Sequence, residues 1–351
     1  MVAAIALAIA LAIWRPWAST AKRDAPRGAS SAESARTGDI ASGVTASGAA
    51  SNVAPSSIAS APPSAVAHVD FAKLRWGSGP RDIGRKQPQE GNPEGPMSLA
   101  VDPHGDALVL DQVNNRLVRI GPGGSPLGTI KIGDGAQDVA VGKDFTIAVL
   151  DRLVDKNVTL YGADGRSLGT LDFMGNGIAE GGAVTGVFVD GTSVYVEREH
   201  GHLVRIGDTR GNAGGDHDEL PGRPTRDGSS YVSAFLETGR AYVSATTRAT
   251  MQHRYTRAIP LTTAARGILL LDTDRFSTVY VATLGSATDG SDVERLTCMA
   301  LEDGHVIGSV AVTVNTLPEE TFREFAVLED GGVLHTEMSD EGVRYVRYDC
   351  R

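Results

Sequence analysis

One stretch of this chain is nearly a copy of the next, and that constrains the fold more than any single residue does. Residues 98–130 read SLAVDPHGDALVLDQVNNRLVRIGPGGSPLGTI, and residues 138–171 read DVAVGKDFTIAVLDRLVDKNVTLYGADGRSLGTL. At an offset of 40, Ala100-Val101 falls on Ala140-Val141, and Val109-Leu110-Asp111 on Val149-Leu150-Asp151. One inserted residue later, Gly121 falls on Gly162 and Leu127-Gly128-Thr129 on Leu168-Gly169-Thr170. A third copy carries Val187–Asp190, Val194–Glu197 and Leu203-Val204-Arg205-Ile206, which repeats Leu117-Val118-Arg119-Ile120 letter for letter. A fixed period of this length marks stacked copies of one supersecondary unit.

Within each copy, runs of about five β-branched and apolar residues alternate with Gly, Asp or Asn, the pattern of short antiparallel strands joined by tight turns. Ala107–Leu110 and Ile268–Leu271 are apolar at successive positions, so both faces of those strands must be buried. Radially packed blades meet that demand, because each sheet lies between two others. Three fainter copies follow. One has strands near Tyr231–Leu236, Arg240–Ala245 and Arg254–Pro260. The next has Gly267–Asp272, Thr278–Thr283, Glu294–Leu301 and Val306–Val312, and the last Arg323–Leu328, Gly332–Glu337 and Gly342–Asp349. The expected fold is therefore all-β, a six-bladed β-propeller over residues 67–351. The last copy lacks an outer strand, and His68–Trp76 lies unpaired ahead of the first copy. It is expected to complete the sixth blade and close the ring.

Pro96–Asp102, then Ala107–Asp111, then Asn114-Asn115-Arg116-Leu117-Val118-Arg119-Ile120 resembles an NHL repeat. That pattern runs Pro, apolar-Ala-Val-Asp, Gly, apolar-apolar-Asp, Asn-x-Arg-apolar. The resemblance is good in the first copy, fair in the second and third, and weak in the others. It implies an NHL-type propeller. Such propellers mostly bind proteins, peptides, glycans or RNA, and some relatives are lyases or lactonases, so the fold alone chooses no activity.

Residues 1–66 are of another kind. Val2–Trp14 is an unbroken apolar run of 13 residues. As a helix it covers about 20 Å, short of the ~30 Å hydrocarbon core but matched to the apolar core of a secretion signal. Arg15, Lys22, Arg23 and Arg27 follow the run and none precedes it, so a start further upstream is expected. Residues 18–66, rich in Ala, Ser, Gly, Thr and Pro, cannot bury enough apolar surface to offset the entropy of ordering and read as a disordered linker. The layout is a signal or membrane-anchor segment over 1–17, a tether over 18–66 and one domain over 67–351. It predicts an exported protein, membrane-anchored or free in the periplasm or outside the cell.

The net charge of −10 is unevenly spread. Residues 1–66 carry five basic and three acidic side chains (+2), and the remainder 28 and 40 (−12). An acidic domain is a poor tracker of phosphates, which excludes nucleic acid as the expected partner. Two cysteines exclude a disulfide scaffold. Cys298 and Cys350 fall on adjacent predicted blades and either pair as a staple or remain free. There is no Gly-x-Ser-x-Gly, His-Glu-x-x-His, Cys-x-x-Cys, P-loop or dinucleotide glycine pattern.

The loop Gly77–Pro96 joins the closing strand to the first blade and should lie at one mouth of the ring. Arg75, Arg81, Arg85 and Lys86 make it basic against an acidic domain, and it is the first place to expect a ligand; its bland reading is a linker spanning the seam. Asn115 and Arg116, with Asp111, match the family's recurring polar positions. They read either as a polar patch or as residues that hold a turn. Glu197, His200 and His202, in the run Glu197-Arg198-Glu199-His200-Gly201-His202, are the candidate metal ligands, since two imidazoles two apart in a strand share a face. Asp289–Glu294 has calcium-loop ingredients without the twelve-residue spacing. No cofactor is required by the sequence, with calcium or zinc as the metals to test. The innermost strands are mostly apolar, which lowers the case for a metal-dependent enzyme. The leading expectation is a monomeric, non-catalytic binding propeller for a protein, peptide or glycan. The alternative is a divergent lactonase-like hydrolase or lyase with a metal at the channel mouth.

Overall fold

The structure, a computed structural model, describes residues 68–350 apart from 176 and 215–217; the expected leader and linker lie outside the described residues. Two segments open the domain, β1 (His68–Trp76) and the two-residue β2 (Asp82–Ile83). Blade 1 is β3 (Pro96–Val101), β4 (Ala107–Asp111), β5 (Arg116–Ile120) and β6 (Pro126–Lys131). Blade 2 is β7 (Asp138–Val141), β8 (Ile147–Asp151), β9 (Asn157–Tyr161) and β10 (Ser167–Asp172). Blade 3 is β11 (Val184–Asp190), β12 (Ser193–Arg198), β13 (Leu203–Asp208) and β14 (Glu219–Leu220). Blade 4 is β15 (Arg223–Pro224), β16 (Ser230–Glu237), β17 (Arg240–Thr247) and β18 (His253–Ala258). Blade 5 is β19 (Ala265–Thr273), β20 (Thr278–Ser286), β21 (Asp292–Ala300) and β22 (Val306–Val312). Blade 6 is β23 (Phe325–Val327), β24 (Val333–Ser339) and β25 (Gly342–Tyr348), completed from the other end of the domain by β1.

The six sheets are the six expected blades. β1 pairs antiparallel with β25 from His68–Tyr348 to Arg75–Gly342, so the ring closes as the unpaired N-terminal strand suggested. Closure removes the open sheet face that a five-and-a-half-blade chain would expose.

Both-face burial explains the composition of the second strands. All five residues of β4 and all five of β8 are buried, and eight of nine in β20. Each such Val or Leu contributes about 1.5–3 kcal/mol by leaving water. Apolar clusters fill the seams between successive blades: Leu110, Val139 and Val149 between blades 1 and 2, Leu160, Phe173 and Val187 between 2 and 3, and Val243, Leu271 and Val281 between 4 and 5. Tyr280, Leu296, Phe325 and Tyr348 pack between blades 5 and 6, and Leu74, Leu99 and Tyr345 at the 6–1 closure. The seam between blades 3 and 4 is bridged by ion pairs, Arg223–Glu197 and Arg248–Asp190.

Aspartates close many of the turns. Asp102, Asp144, Asp164, Asp208, Asp227, Asp274, Asp289 and Asp303 each accept a backbone N–H two residues on. This is the local side-chain mimic of a turn that makes Asp frequent between strands. The two-residue strands β2, β14 and β15 had no sequence signal. The inner strand of blade 4 is cut to two residues, one of them Pro224, so no alternation is available to read.

Candidate functional site

In an antiparallel four-stranded blade, the segments crossing from one outer strand to the next inner strand share a face with the turns between second and third strands. Residues 77–95, 112–115, 152–156, 199–202, 238–239 and 313–324 therefore lie on one side of the ring, called here the crossover face. Arg75, Arg81, Arg85, Lys86, Asn115, Arg116, Glu197, His200 and His202 all fall at this end of their blades.

Beneath that face arginine side chains link the inner strands of different blades. Asp138, at the start of β7, is fully buried and gathers three partners. Its Oδ1 accepts from Ser98 Oγ (2.6 Å), and its Oδ2 accepts from the Val187 N–H (2.9 Å) and from Arg323 Nη2 (2.6 Å). Arg323 belongs to blade 6 and also donates to the Val187 carbonyl of blade 3 (3.2 Å), so its side chain spans the axis. The Phe188 ring lies between two guanidinium groups, 4.7 Å from Arg223 and 5.0 Å from Arg323. At the opposite end Arg226 of blade 4 donates to Asp272 (2.9 Å), to Glu329 (2.9 Å) and to the Val327 carbonyl (2.8 Å). Burial disfavours the Arg226 charge, but Asp272 and Glu329 more than offset that and hold it protonated above the usual arginine range. The apolar inner strands expected from sequence are present, and charged side chains at their ends pair across from blade to blade. Between blades 1 and 2 a cavity of about 10 Å³, lined by Leu108, Ile130, Val141 and Phe145 among others, has room for about one water.

Glu197, His200 and His202 do not converge. β12 ends at Arg198, and Glu199 (φ 50°) and His200 (φ 57°) take left-handed backbone conformations, so strand alternation no longer sets which way the imidazoles face. His200 Nδ1 stands 3.7 Å from Glu197, whereas His202 Nδ1 is 3.0 Å from Glu219, which also pairs with Arg198. Glu197 is itself buried and accepts from Arg223 Nε (3.0 Å) and Nη2 (2.8 Å). Burial pushes its carboxyl up, but the Arg223 charge and the His200 contact prevail and lower it to about 2. The three residues make a blade-to-blade ion pair with a turn beside it.

The long loop is pinned rather than open. Arg116 donates to Asp111 (Nε, 2.8 Å) and to the carbonyls of Ser78, Gly79 and Asp82 (3.3, 2.9 and 2.8 Å). Asp111 also accepts from Asn114 and from the Gly84 N–H. Asn115 sits at φ 52°, where its N–H closes the turn onto the Gln112 carbonyl. Arg85 pairs with buried Glu319 and with Asp340 and stacks over Trp76. Lys86 faces Glu94 at 3.5 Å with most of its side chain in solvent, while Arg81 is exposed and the Arg75 side chain is 87% exposed. The basic loop therefore divides: Arg85 and Arg116 build the loop, and Arg75, Arg81 and Lys86 are presented by it. Asp289, of the calcium-like stretch, accepts from the Ser291 N–H and Oγ, which lower its carboxyl and shape a hairpin tip.

Cys298 on β21 and Cys350 after β25 form a disulfide across the seam between blades 5 and 6. On the same face of β21, four residues earlier, stands a cluster that sequence reasoning did not find. Glu294, Glu324 and His335 each present one ligand-type atom, all within 4.8 Å of one another. His335 is completely buried, and neither ring nitrogen has a hydrogen-bond partner among the described residues; Glu294 Oε2 is likewise unpartnered. Burial first, and the Glu324 and Asp292 charges second, push the Glu294 carboxyl up to about 9. The signal available in sequence was a histidine inside the apolar run Val333-Leu334-His335, but its two acidic neighbours come from elsewhere in the chain.

No family model and no curated protein matches this chain. Solved structures do resemble it. Kuenenia stuttgartiensis hydrazine synthase is 12% identical, covering 72% of this chain and 80% of that one, with a TM-score of 0.48. A putative 6-phosphogluconolactonase from Bacteroides fragilis is 14% identical over 73% and 85%, with a TM-score of 0.40. Virginiamycin B lyase from Staphylococcus aureus is 10% identical over 72% and 94%, with a TM-score of 0.39. Their activities are mixed, and likenesses at this distance assign none of them to this chain.

Proposed function

We propose that this protein is a divergent NHL-type propeller, exported and held at a membrane by residues 1–17 through the 18–66 linker, that binds a protein, peptide or glycan through the crossover face without catalysing a reaction on it. The observation that carries the reading is the set of arginines paired between blades at the inner strands. Arg223, Arg323 and Arg226 are each held by carboxylates or carbonyls of other blades, so the polar groups at the ends of the inner strands are engaged with one another rather than left for a substrate. Supporting it, the crossover face presents exposed Arg75, Arg81 and Lys86 together with the exposed apolar tips Leu153 and Val154. Cations beside apolar side chains suit an acidic, partly apolar ligand. The metal-dependent alternative loses its ligands to other partners, since Arg223 holds Glu197 and Glu219 holds His202.

The test is crosslinking in cells with the full chain and with the Arg75→Glu/Arg81→Glu/Lys86→Glu variant, followed by fractionation. A membrane-associated adduct that the variant loses, with its melting temperature unchanged, is the expected result. Recovery in the cytoplasmic fraction overturns the tethered reading. Turnover of lactones or esters by the purified chain, with no retained partner, overturns the binding reading.

A further inference from the structure

We propose that Glu294, Glu324 and His335 form a site for one divalent transition-metal cation of the zinc or manganese class, which ties blade 5 to blade 6. Glu294 projects from β21 of blade 5, while Glu324 immediately precedes β23 and His335 lies on β24 of blade 6. His335 Nε2 is 3.6 Å from Glu324 Oε2 and 3.9 Å from Glu294 Oε2. Those separations are too long for hydrogen bonds. They are close to what a shared cation imposes: donors about 2.0–2.2 Å from zinc in a tetrahedron stand roughly 3.3–3.6 Å apart.

The surroundings are built as a metal site's outer shell is built. The imidazole is stacked flat on Phe325, ring centroids 4.2 Å apart and planes 9° apart, which fixes its orientation. With Nε2 toward the cation, Nδ1 faces Glu337 Oε1 at 4.0 Å. Glu337 is held in turn by the Tyr348 hydroxyl (2.6 Å) and by Arg344. Glu324 Oε2 accepts from Asn315 Nδ2 (2.9 Å), leaving lone pairs for a ligand bond. The Glu337 carboxylate is too far for a hydrogen bond to Nδ1, so the ring is oriented by its stack on Phe325, while an amide on a ligating carboxylate is one of the partners that orient metal ligands.

Charge gives the second argument. Two carboxylates facing each other in a nearly dry seam repel, and a doubly charged cation makes the group neutral. The mixed donor set selects the class: a buried imidazole nitrogen suits first-row transition metals better than calcium or magnesium, which take oxygen shells. Three protein donors leave at least one position for water, on the Glu324 side, where that side chain is 18% exposed. Glu294 and Cys298 are on one face of β21, so the cation and the disulfide would fasten the same two blades at different heights. This site is independent of ligand binding at the crossover face.

The experiment uses the full chain, stripped with chelator and equilibrated separately with zinc, manganese and calcium before elemental analysis. One equivalent of zinc or manganese per chain, calcium excluded, and a rise in melting temperature on loading are expected. Glu324→Gln, which keeps shape at a mostly buried position, should weaken binding by at least about tenfold and abolish the rise in melting temperature, as should His335→Gln. The His200→Ala/His202→Ala variant should bind as the native chain does. Binding well below one equivalent at micromolar metal overturns the proposal. So does undiminished binding in Glu324→Gln, which serves alone if His335→Gln does not fold, or binding lost with His200 and His202.

Discussion

Removing the Cys298–Cys350 bond tests the seam and the compartment together. The bond spans a sequence separation of 52 residues. For a loop of that size the entropy withheld from the unfolded chain corresponds to about 4 kcal/mol at 25 °C. A domain of about 280 residues unfolds with an entropy near 0.6 kcal/mol/K, so the lost stability lowers the melting temperature by about 7 °C. The native ring survives the loss, because the β1–β25 pairing and the apolar packing around Tyr280, Leu296, Phe325 and Tyr348 remain. Calorimetry of the oxidised protein with and without reductant, beside a Cys298→Ala/Cys350→Ala variant, isolates the crosslink from the packing of the sulfur atoms. Reductant should lower the native melting temperature by several degrees and leave the variant unmoved. A shift below about 2 °C, or an equal shift in the variant, would refute the entropic argument. Two free thiols per chain in the protein as isolated would refute the oxidised seam itself.

Arg116→Ala leaves fully buried Asp111 without its cation and frees residues 77–82. A loss of about 3–5 kcal/mol in urea unfolding and new protease cleavage between 77 and 95 are expected. Glu197 supplies a pH signature. Its carboxyl is lowered to about 2 in the fold, so its contribution is present above about pH 4.5 and is lost as pH falls toward 2. Glu197→Gln should remove about 3 kcal/mol of that acid-side dependence, read from denaturant midpoints at stepped pH. Arg323→Met leaves Asp138 facing the Val187 N–H and Ser98 with no cation, and should cost about 3–5 kcal/mol while the six-bladed fold persists by circular dichroism.

The strands were readable where local chemistry alone determines them. Val306–Val312 and His68–Trp76 have the bounds their sequence suggests, and the remaining strands of blades 5 and 6 lie within a few residues. Pairing His68–Trp76 with the last blade was legible because a ring with one strand missing admits one occupant. Side-chain roles were less legible. Arg85 and Arg116 look alike in sequence to Arg75 and Arg81, and only the positions of Glu319 and Asp111 separate builders from exposed cations. The triad was invisible for a different reason. Thirty residues separate Glu294 from Glu324, and eleven separate Glu324 from His335, with no spacing rule between them. What unites them is the stacking of blade 6 on blade 5.

One repeat position shows how the copies came to differ. The second strand ends in Asp111 and Asp151 in blades 1 and 2, and carries Glu197 one residue before its end in blade 3. In blade 1 the carboxylate is paired by Arg116 of the same blade, which ties down the loop from the closing strand. In blade 2 the arginine's place opposite the carboxylate is taken by Asn157; Asp151 Oδ1 takes the Leu153 and Val154 N–H groups while its Oδ2 has no hydrogen-bond partner among the described residues. In blade 3 one extra methylene carries the carboxylate further, to Arg223 of blade 4, whose guanidinium then reaches the Leu271 carbonyl of blade 5 and lies over Phe188. A position that serves as a turn clamp in blade 1 thus serves in blade 3 as a strut between blades. The repeat weakens in sequence from this point on, as expected if departures from a consistent local pattern collect where side chains take on work between blades.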